Sequence, residues 1–135
     1  MRINLMIALV LTFFSLTAVA QEKPRRFIFL VHGINGNKNT FGSLDKILEE
    51  HGKLIQPEHE INVIPITYTT GANYLSTYEF ADALGDVIVS NISGGLKPTD
   101  TITFVSHSQG GLISWIFSGR RKKLLIYFEM LWRLS

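Results

Sequence analysis

The chain contains 135 residues, of which 13 are basic and 11 acidic, so its net charge is +2. This length allows one domain with a hydrophobic core, and the small net charge argues against a nucleic-acid-binding protein. The basic residues are concentrated in 119–135, where five of them accompany a single acid, so the remainder of the chain is slightly acidic. The chain has no cysteine, which excludes a lipoprotein anchor and requires a fold that is stable without disulfides.

The N-terminal segment has the pattern of a secretory signal peptide. Arg2 supplies a positive charge, residues 3–14 form an apolar run, and the sequence Ala-Val-Ala at 18–20 matches a cleavage site. We therefore expect residues 1–20 to be removed and the protein to be exported to the periplasm or secreted. The alternative is an uncleaved membrane anchor, because the segment approaches spanning length. Residues 21–26 form a polar leader.

Three runs rich in β-branched and aromatic residues predict strands, at 27–31, 61–68 and 101–105. Pro65 cannot donate a hydrogen bond within a sheet, so it marks a bulge, an edge or a strand end. The strands alternate with helical segments, which favours right-handed crossovers and parallel pairing. The predicted fold class is therefore α/β, a three-layer αβα arrangement around a short parallel sheet.

Two amphipathic segments between these strands predict helices. The first begins with an N-cap at Thr40 and runs to about His51, with Gly52 in the C′ position. The second begins with capping-box spacing at Ser76 and runs to about Asn91.

The run Ser-His-Ser-Gln-Gly-Gly at 106–111 lies between the third strand and a longer apolar segment. This setting is typical of the nucleophile elbow G-x-S-x-G, in which a serine occupies a strained turn between a strand and a helix. Ser108 is then the candidate nucleophile, and the N–H of Gln109 at the helix N-terminus is a candidate oxyanion donor. Ser106 replaces the usual first glycine, and Gly110 keeps the second. The alternative interpretation is an ordinary loop between a strand and a helix.

The run His-Gly-Ile-Asn-Gly at 32–36 forms a second glycine-rich loop after the first strand. Together with the serine motif about 75 residues later, it resembles the α/β-hydrolase superfamily, in particular lipases and esterases of the inositol-deacylase and triacylglycerol-lipase kind. The resemblance covers residues 26–118. It implies that the N–H of Ile34 is a second oxyanion donor and that His32, with Gly33 and Gly36, shapes the loop by bonding to backbone.

The resemblance also implies a catalytic acid and then a histidine after the serine. After Ser108 the sequence has one acid, Glu129, and no histidine. We expect His107 to shape the elbow rather than act as a base, because neighbouring side chains diverge on a sharp turn, and we expect His32 not to act as a base either. Since the resemblance implies a domain about twice as long as this chain, residues 27–118 are expected to form the N-terminal part of the fold, in a small or C-terminally truncated member.

Two further segments have alternative interpretations. Tyr68, Asn73 and Tyr74 follow the second strand, where loops of α/β sheets surround the ligand, so they are candidate substrate contacts or an aromatic-bearing connector. The tail 119–135 could add a strand at 124–128 or a helix, and we favour the helix. Membrane contact through the signal or this tail is a further possibility.

The sequence therefore predicts a serine ester hydrolase that forms an acyl-serine intermediate on a small-molecule or lipid ester. It shows no metal-ligand spacing, and no cofactor is expected. Because the acid and histidine of the triad are missing, we expect weak or no activity from this chain alone. The alternative is a non-catalytic product that binds acyl groups or a partner through an exposed apolar edge.

Overall fold

The computed structural model describes residues 22–71 and 75–120, together with the backbone of a short strand at 126–128. The predicted signal peptide at 1–20, two of the candidate substrate contacts, Asn73 and Tyr74, and most of the tail lie outside the described residues. Among the helices that are described, none is long and apolar enough to cross a membrane.

The core of the fold is a parallel sheet of four strands in the spatial order β2-β1-β3-β4. The strands are β1 (Arg25–Val31), β2 (Glu60–Pro65), β3 (Thr101–Ser106) and β4 (Ile126–Phe128). The predicted α/β class and parallel pairing are confirmed. β2 ends at Pro65 and not at residue 68, although the N–H of Ile66 still donates to the carbonyl of Leu30.

Three α-helices connect the strands: α1 (Leu44–Ile55), α2 (Thr77–Asn91) and α3 (Gln109–Arg120). The main hydrophobic core lies between one face of the sheet and the helices α2 and α3. Its members include Phe27 and Phe29 of β1, Phe104 of β3, Phe80, Leu84 and Ile88 of α2, and Ile113 and Phe117 of α3. Helix α1 lies on the opposite face, where Gly52 approaches Ile61 of β2. The chain therefore has the predicted three layers.

The first predicted helix is wrong in its boundaries. A short 3₁₀ helix (Lys38–Phe41) comes first, capped by Asn37 and not by Thr40. The backbone then passes through Gly42 at φ 58°, a left-handed conformation that interrupts the helix. Helix α1 continues through Gly52 instead of ending there. An added Cβ at Gly52 would lie 3.0 Å from the Ile61 side chain. The glycine thus permits close packing of α1 on the sheet.

The second predicted helix is present, whereas residues 126–128 of the tail form a strand and not a helix. The capping box is confirmed, since Ser76 accepts the N–H of Glu79 and the Glu79 carboxylate accepts the N–H of Ser76. The helix favoured for the tail is wrong at Ile126–Phe128, which pairs in parallel with residues 102–104 of β3. The free edge of β3 offers backbone donors and acceptors to a neighbouring strand, and this decides between the two alternatives.

A partly buried ion pair ties the start of β1 to the turn before β3. The Asp100 side chain is 1% exposed, and its carboxylate lies 2.6 Å from the Arg25 guanidinium. It also accepts the N–H groups of Lys97 and Arg25. Burial alone raises the pKa of Asp100, but the hydrogen bonds from Arg25 and Lys97 outweigh this effect and hold the pKa below its ordinary value of 3.8.

Asp100→Asn is expected to lower the free energy of unfolding at neutral pH, because the neutral amide removes the ion pair with the Arg25 guanidinium. A carboxyl whose pKa is lowered by folding stabilises the protein above its unfolded pKa, and this contribution is lost as the pH falls through the folded pKa. The difference from the parent chain should therefore shrink below about pH 3.8. Urea denaturation at neutral and acidic pH measures this difference in the free energy of unfolding.

Asp86→Asn is the matched control for this experiment. Asp86 is exposed on α2, and its side chain forms no hydrogen bond or ion pair with another described residue. Its replacement should leave the free energy of unfolding nearly unchanged at both pH values. A difference between Asp100→Asn and the parent that does not depend on pH would contradict the role assigned to the Asp100 charge.

Candidate active site

Ser108 occupies a sharp turn between the end of β3 and the start of α3. Its φ angle is 55°, a left-handed conformation that a residue with a side chain adopts only at an energetic cost. The turn is closed by hydrogen bonds from the N–H of Gly110 to the carbonyl of His107 and from the N–H of Gly111 to the carbonyl of Ser108, both 3.0 Å. Ser108 is exposed at the tip of this turn.

The residues two before and two after Ser108 pack closely on their neighbours. Gly110 lies against β1, since an added Cβ would be 2.5 Å from the carbonyl oxygens of Val31 and His32. Ser106, which stands where the motif usually has glycine, places its hydroxyl 3.0 Å from that of Ser114 on α3. Both serines are buried and shielded from water. The bond between them gives each hydroxyl a hydrogen-bond partner. The departure from glycine is thereby accommodated.

The elbow lies directly against the His-Gly loop, residues 32–36. The N–H of His107 donates to the carbonyl of Val31 at 3.0 Å, which docks the elbow on the end of β1. A Cβ added to Gly33 would lie 2.8 Å from the Cβ of Ser108 and 3.2 Å from its Oγ. The two glycine-rich motifs found in the sequence are therefore neighbours in the fold, with the serine facing the backbone of Gly33.

Two backbone N–H groups beside the serine are free. In the His-Gly loop the N–H of Gly36 donates to the carbonyl of Gly33 at 3.1 Å, and Asn35 has φ 56°, as the third residue of a type II turn requires. Ile34 lies within this turn. Neither its N–H nor that of Gln109 at the start of α3 has a hydrogen-bond partner among the described residues. Both remain available to a ligand atom.

His32 is fully buried and supports the loop through both ring nitrogens. Nδ1 lies 2.9 Å from the carbonyl oxygen of Gly33, so it must carry the proton. Nε2 accepts the N–H of Tyr68 at 3.4 Å. Because both nitrogens are engaged, His32 is not placed to take a proton from Ser108. The ring of His107, in contrast, is exposed and makes no hydrogen bond within the described part of the chain.

Tyr68 is placed differently from the substrate contact predicted from the sequence. Its side chain is buried, its ring stacks on His32 at 4.7 Å between centroids, and its hydroxyl donates to the carbonyl of His32 at 2.9 Å. Burial raises the pKa of this hydroxyl above its ordinary value, so it stays protonated and remains a donor. Tyr68 therefore supports the His-Gly loop from inside and does not face the solvent side of Ser108.

Two cavities formed by the described residues lie away from Ser108. A polar cleft near the start of the strands includes Arg25, His59 and Lys97, and a small apolar cavity of about 240 Å³ lies among Ile88, Ile102 and other side chains. Neither includes Ser108. No group of three or more potential metal ligands occurs among the described residues.

A left-handed serine between a parallel strand and a helix, beside a glycine-rich loop from the neighbouring strand, defines the nucleophile-elbow arrangement of α/β-hydrolases. The chain belongs to the family described as "Putative serine esterase (DUF676)", whose sequence model matches residues 21–129. No curated protein has a matching sequence.

Two solved structures show the same fold. Phospholipase PlaB from Legionella pneumophila is 19% identical with a TM-score of 0.58, covering 78% of this chain and 24% of that protein. An extracellular α/β-hydrolase from a Paenibacillus species is 19% identical with a TM-score of 0.54, covering 82% of this chain and 43% of that protein. The chain thus spans less than half the length of these two relatives.

Proposed function

We propose that this chain provides the nucleophile and the oxyanion hole of a serine ester hydrolase acting on a small-molecule or lipid ester. The observation that carries the proposal is the position of Ser108. It is held in a left-handed turn against Gly33. The N–H groups of Gln109, which follows Ser108, and of Ile34, which follows Gly33, have no partner among the described residues. Membership of the serine esterase family supports the same reaction class.

The reaction follows from this geometry. The Oγ of Ser108 attacks the carbonyl carbon of the ester while its proton passes to a general base. The carbonyl oxygen gains the electron pair, and the N–H groups of Ile34 and Gln109 donate to the resulting oxyanion. Collapse of this intermediate expels the alcohol, which takes up the proton. Water then hydrolyses the acyl-serine and restores the hydroxyl.

The general base limits what this chain does by itself. The four histidines of the sequence are His32, His51, His59 and His107, and all precede Ser108. Both ring nitrogens of His32 are already engaged, and the family order places the acid and the histidine after the serine. We therefore propose that the chain by itself supports slow acylation of Ser108 and only weak turnover.

Labelling with a fluorophosphonate tests the proposal without requiring turnover. The probe is attacked by a nucleophilic serine and releases fluoride, so the expected result is a slow, stoichiometric adduct on Ser108, located by peptide mass spectrometry. Ser108→Ala should abolish the adduct. Ser43→Ala is the matched control, because Ser43 is exposed at the start of α1 and its side chain forms no capping hydrogen bond. It should be labelled like the parent.

Two outcomes would contradict this proposal. An unlabelled parent chain would leave Ser108 without nucleophilic character and favour the non-catalytic alternative, for which the exposed side chains of Leu112 and Trp115 on α3 offer an apolar surface. Fast turnover of a p-nitrophenyl ester, at roughly 10 per second as in ordinary enzymes, that disappears in Ser108→Ala would show that a base is present after all.

A further inference from the structure

The backbone N–H groups of residues 35–40, directly after Ile34, all donate hydrogen bonds. From Asn35 to Thr40 each N–H has an identified acceptor, and the acceptors are, in order, Thr70 Oγ1, the Gly33 carbonyl, Thr40 Oγ1, Thr67 Oγ1, Asn37 Oδ1 and the Asn37 carbonyl. Within residues 34–40 the N–H of Ile34 alone has no acceptor in the part of the chain that the structure describes. The loop thus leaves one particular amide of this stretch free beside Ser108.

Two of these acceptors come from the segment that follows β2. The Thr70 hydroxyl accepts the N–H of Asn35 at 3.1 Å, and the Thr67 hydroxyl accepts the N–H of Lys38 at 2.9 Å. Between them, Tyr68 holds the carbonyl of His32. The segment 67–70 therefore forms three hydrogen bonds with the His-Gly loop and the following 3₁₀ helix. The bonded partners are about 30 positions apart in sequence.

The bond from Asn35 to Thr70 fixes a peptide plane. The Asn35 N–H and the Ile34 carbonyl belong to one planar unit, so holding the N–H also fixes where that carbonyl points. Asn35 is in the left-handed conformation with φ 56°, which asparagine adopts more readily than most other residues with a side chain. The hydrogen bond to Thr70 opposes a flip of this peptide plane and anchors the turn. The preceding plane, Gly33–Ile34, carries the Ile34 N–H and is held in place by the anchored turn.

We propose that Thr70 and Thr67 are positioning residues of the esterase site, which hold the turn so that the N–H of Ile34 faces the oxygen that becomes negative when Ser108 attacks. This inference rests on the proposed function, because it assigns a purpose to the free amide. Thr70 has the larger role, since it contacts the turn that contains Ile34, whereas Thr67 contacts the 3₁₀ helix beyond it.

Fluorophosphonate labelling kinetics of three variants test this assignment. Thr70→Val removes the acceptor at nearly constant shape, Thr70→Ser keeps it, and Thr69→Val makes the same change at an exposed neighbour without a hydrogen bond to another described residue. We expect Thr70→Val to lower the maximal labelling rate, kinact, by about tenfold with an unchanged binding constant KI, since one hydrogen bond is lost. Thr70→Ser should restore the rate, and Thr69→Val should not change it.

Equal kinact values for Thr70→Val and Thr69→Val would overturn the assignment, as would a loss in Thr70→Val that Thr70→Ser shares. A purely structural role would lower the unfolding temperature without this separation of kinact from KI. An unlabelled parent chain would refute the proposed esterase function. Amide exchange measured by NMR would then test whether the Asn35 N–H donates to the Thr70 hydroxyl. The Asn35 N–H should exchange about tenfold faster in Thr70→Val than in Thr69→Val, and equal exchange would overturn the inference.

Discussion

Gly110→Ala is expected to destabilise the fold by about 3 kcal/mol or more, because the added methyl group has no space. Its position would be 2.5 Å from the carbonyl oxygens of Val31 and His32. These atoms belong to the backbone at the end of β1 and cannot turn aside as a flexible side chain could. The elbow would have to move away from β1, and urea denaturation of the variant measures the cost.

Gly111→Ala is the matched control one residue further along α3. The nearest atom to an added Cβ there is the Cβ of Ser106 at 4.0 Å, an ordinary contact distance. Alanine is favoured over glycine within a helix by up to about 1 kcal/mol, so this variant should be as stable as the parent or more stable. A similar loss of stability in both variants would show that close packing of Gly110 on β1 is not the cause.

The parts of the fold that were predictable from the sequence depend on local patterns. The strand before Ser108, the capping box at Ser76 and the alternation of strands with helices are each encoded within about a dozen neighbouring residues, and they are present in the structure. The close packing of Gly52 involves Ile61 on the neighbouring sheet. The strand at Ile126–Phe128 depends on the free edge of β3. Such non-local partners are invisible to a local pattern.

The site shows the same division between local and distant information. Glycine spacing indicated Ser108 and the His-Gly loop, because the turn itself requires small residues. The inward position of Tyr68 was missed, since its hydroxyl pairs with a carbonyl 36 residues earlier. The roles of Thr67 and Thr70 were missed for the same reason. Their place after β2 was the available signal, but it indicates nearness to the ligand crevice and not the direction of a side chain.

Gly33→Ala is expected to lower the fluorophosphonate labelling rate of Ser108 by about a hundredfold, because misplacing reacting groups by about 1 Å has effects of this size. The new methyl group would lie 2.8 Å from the Ser108 Cβ and 3.0 Å from the His107 carbonyl oxygen. Either the serine or the loop that contains Ile34 must shift, so the nucleophile and its candidate oxyanion donor would separate. Labelling followed by intact mass spectrometry, beside a circular dichroism spectrum that establishes folding, measures the effect.

Ile34→Ala tests whether the labelling rate depends on the backbone N–H or on the side chain of Ile34. The Ile34 side chain is 56% exposed, and its truncation keeps the N–H that is assigned to the oxyanion. This variant should therefore be labelled with nearly the parent kinact, even if its KI for an apolar probe rises. Parent-like labelling of a folded Gly33→Ala chain would mean that the loop does not constrain Ser108. A loss in Ile34→Ala as large as that in Gly33→Ala would instead assign the effect to the side chain, since both variants retain every backbone donor.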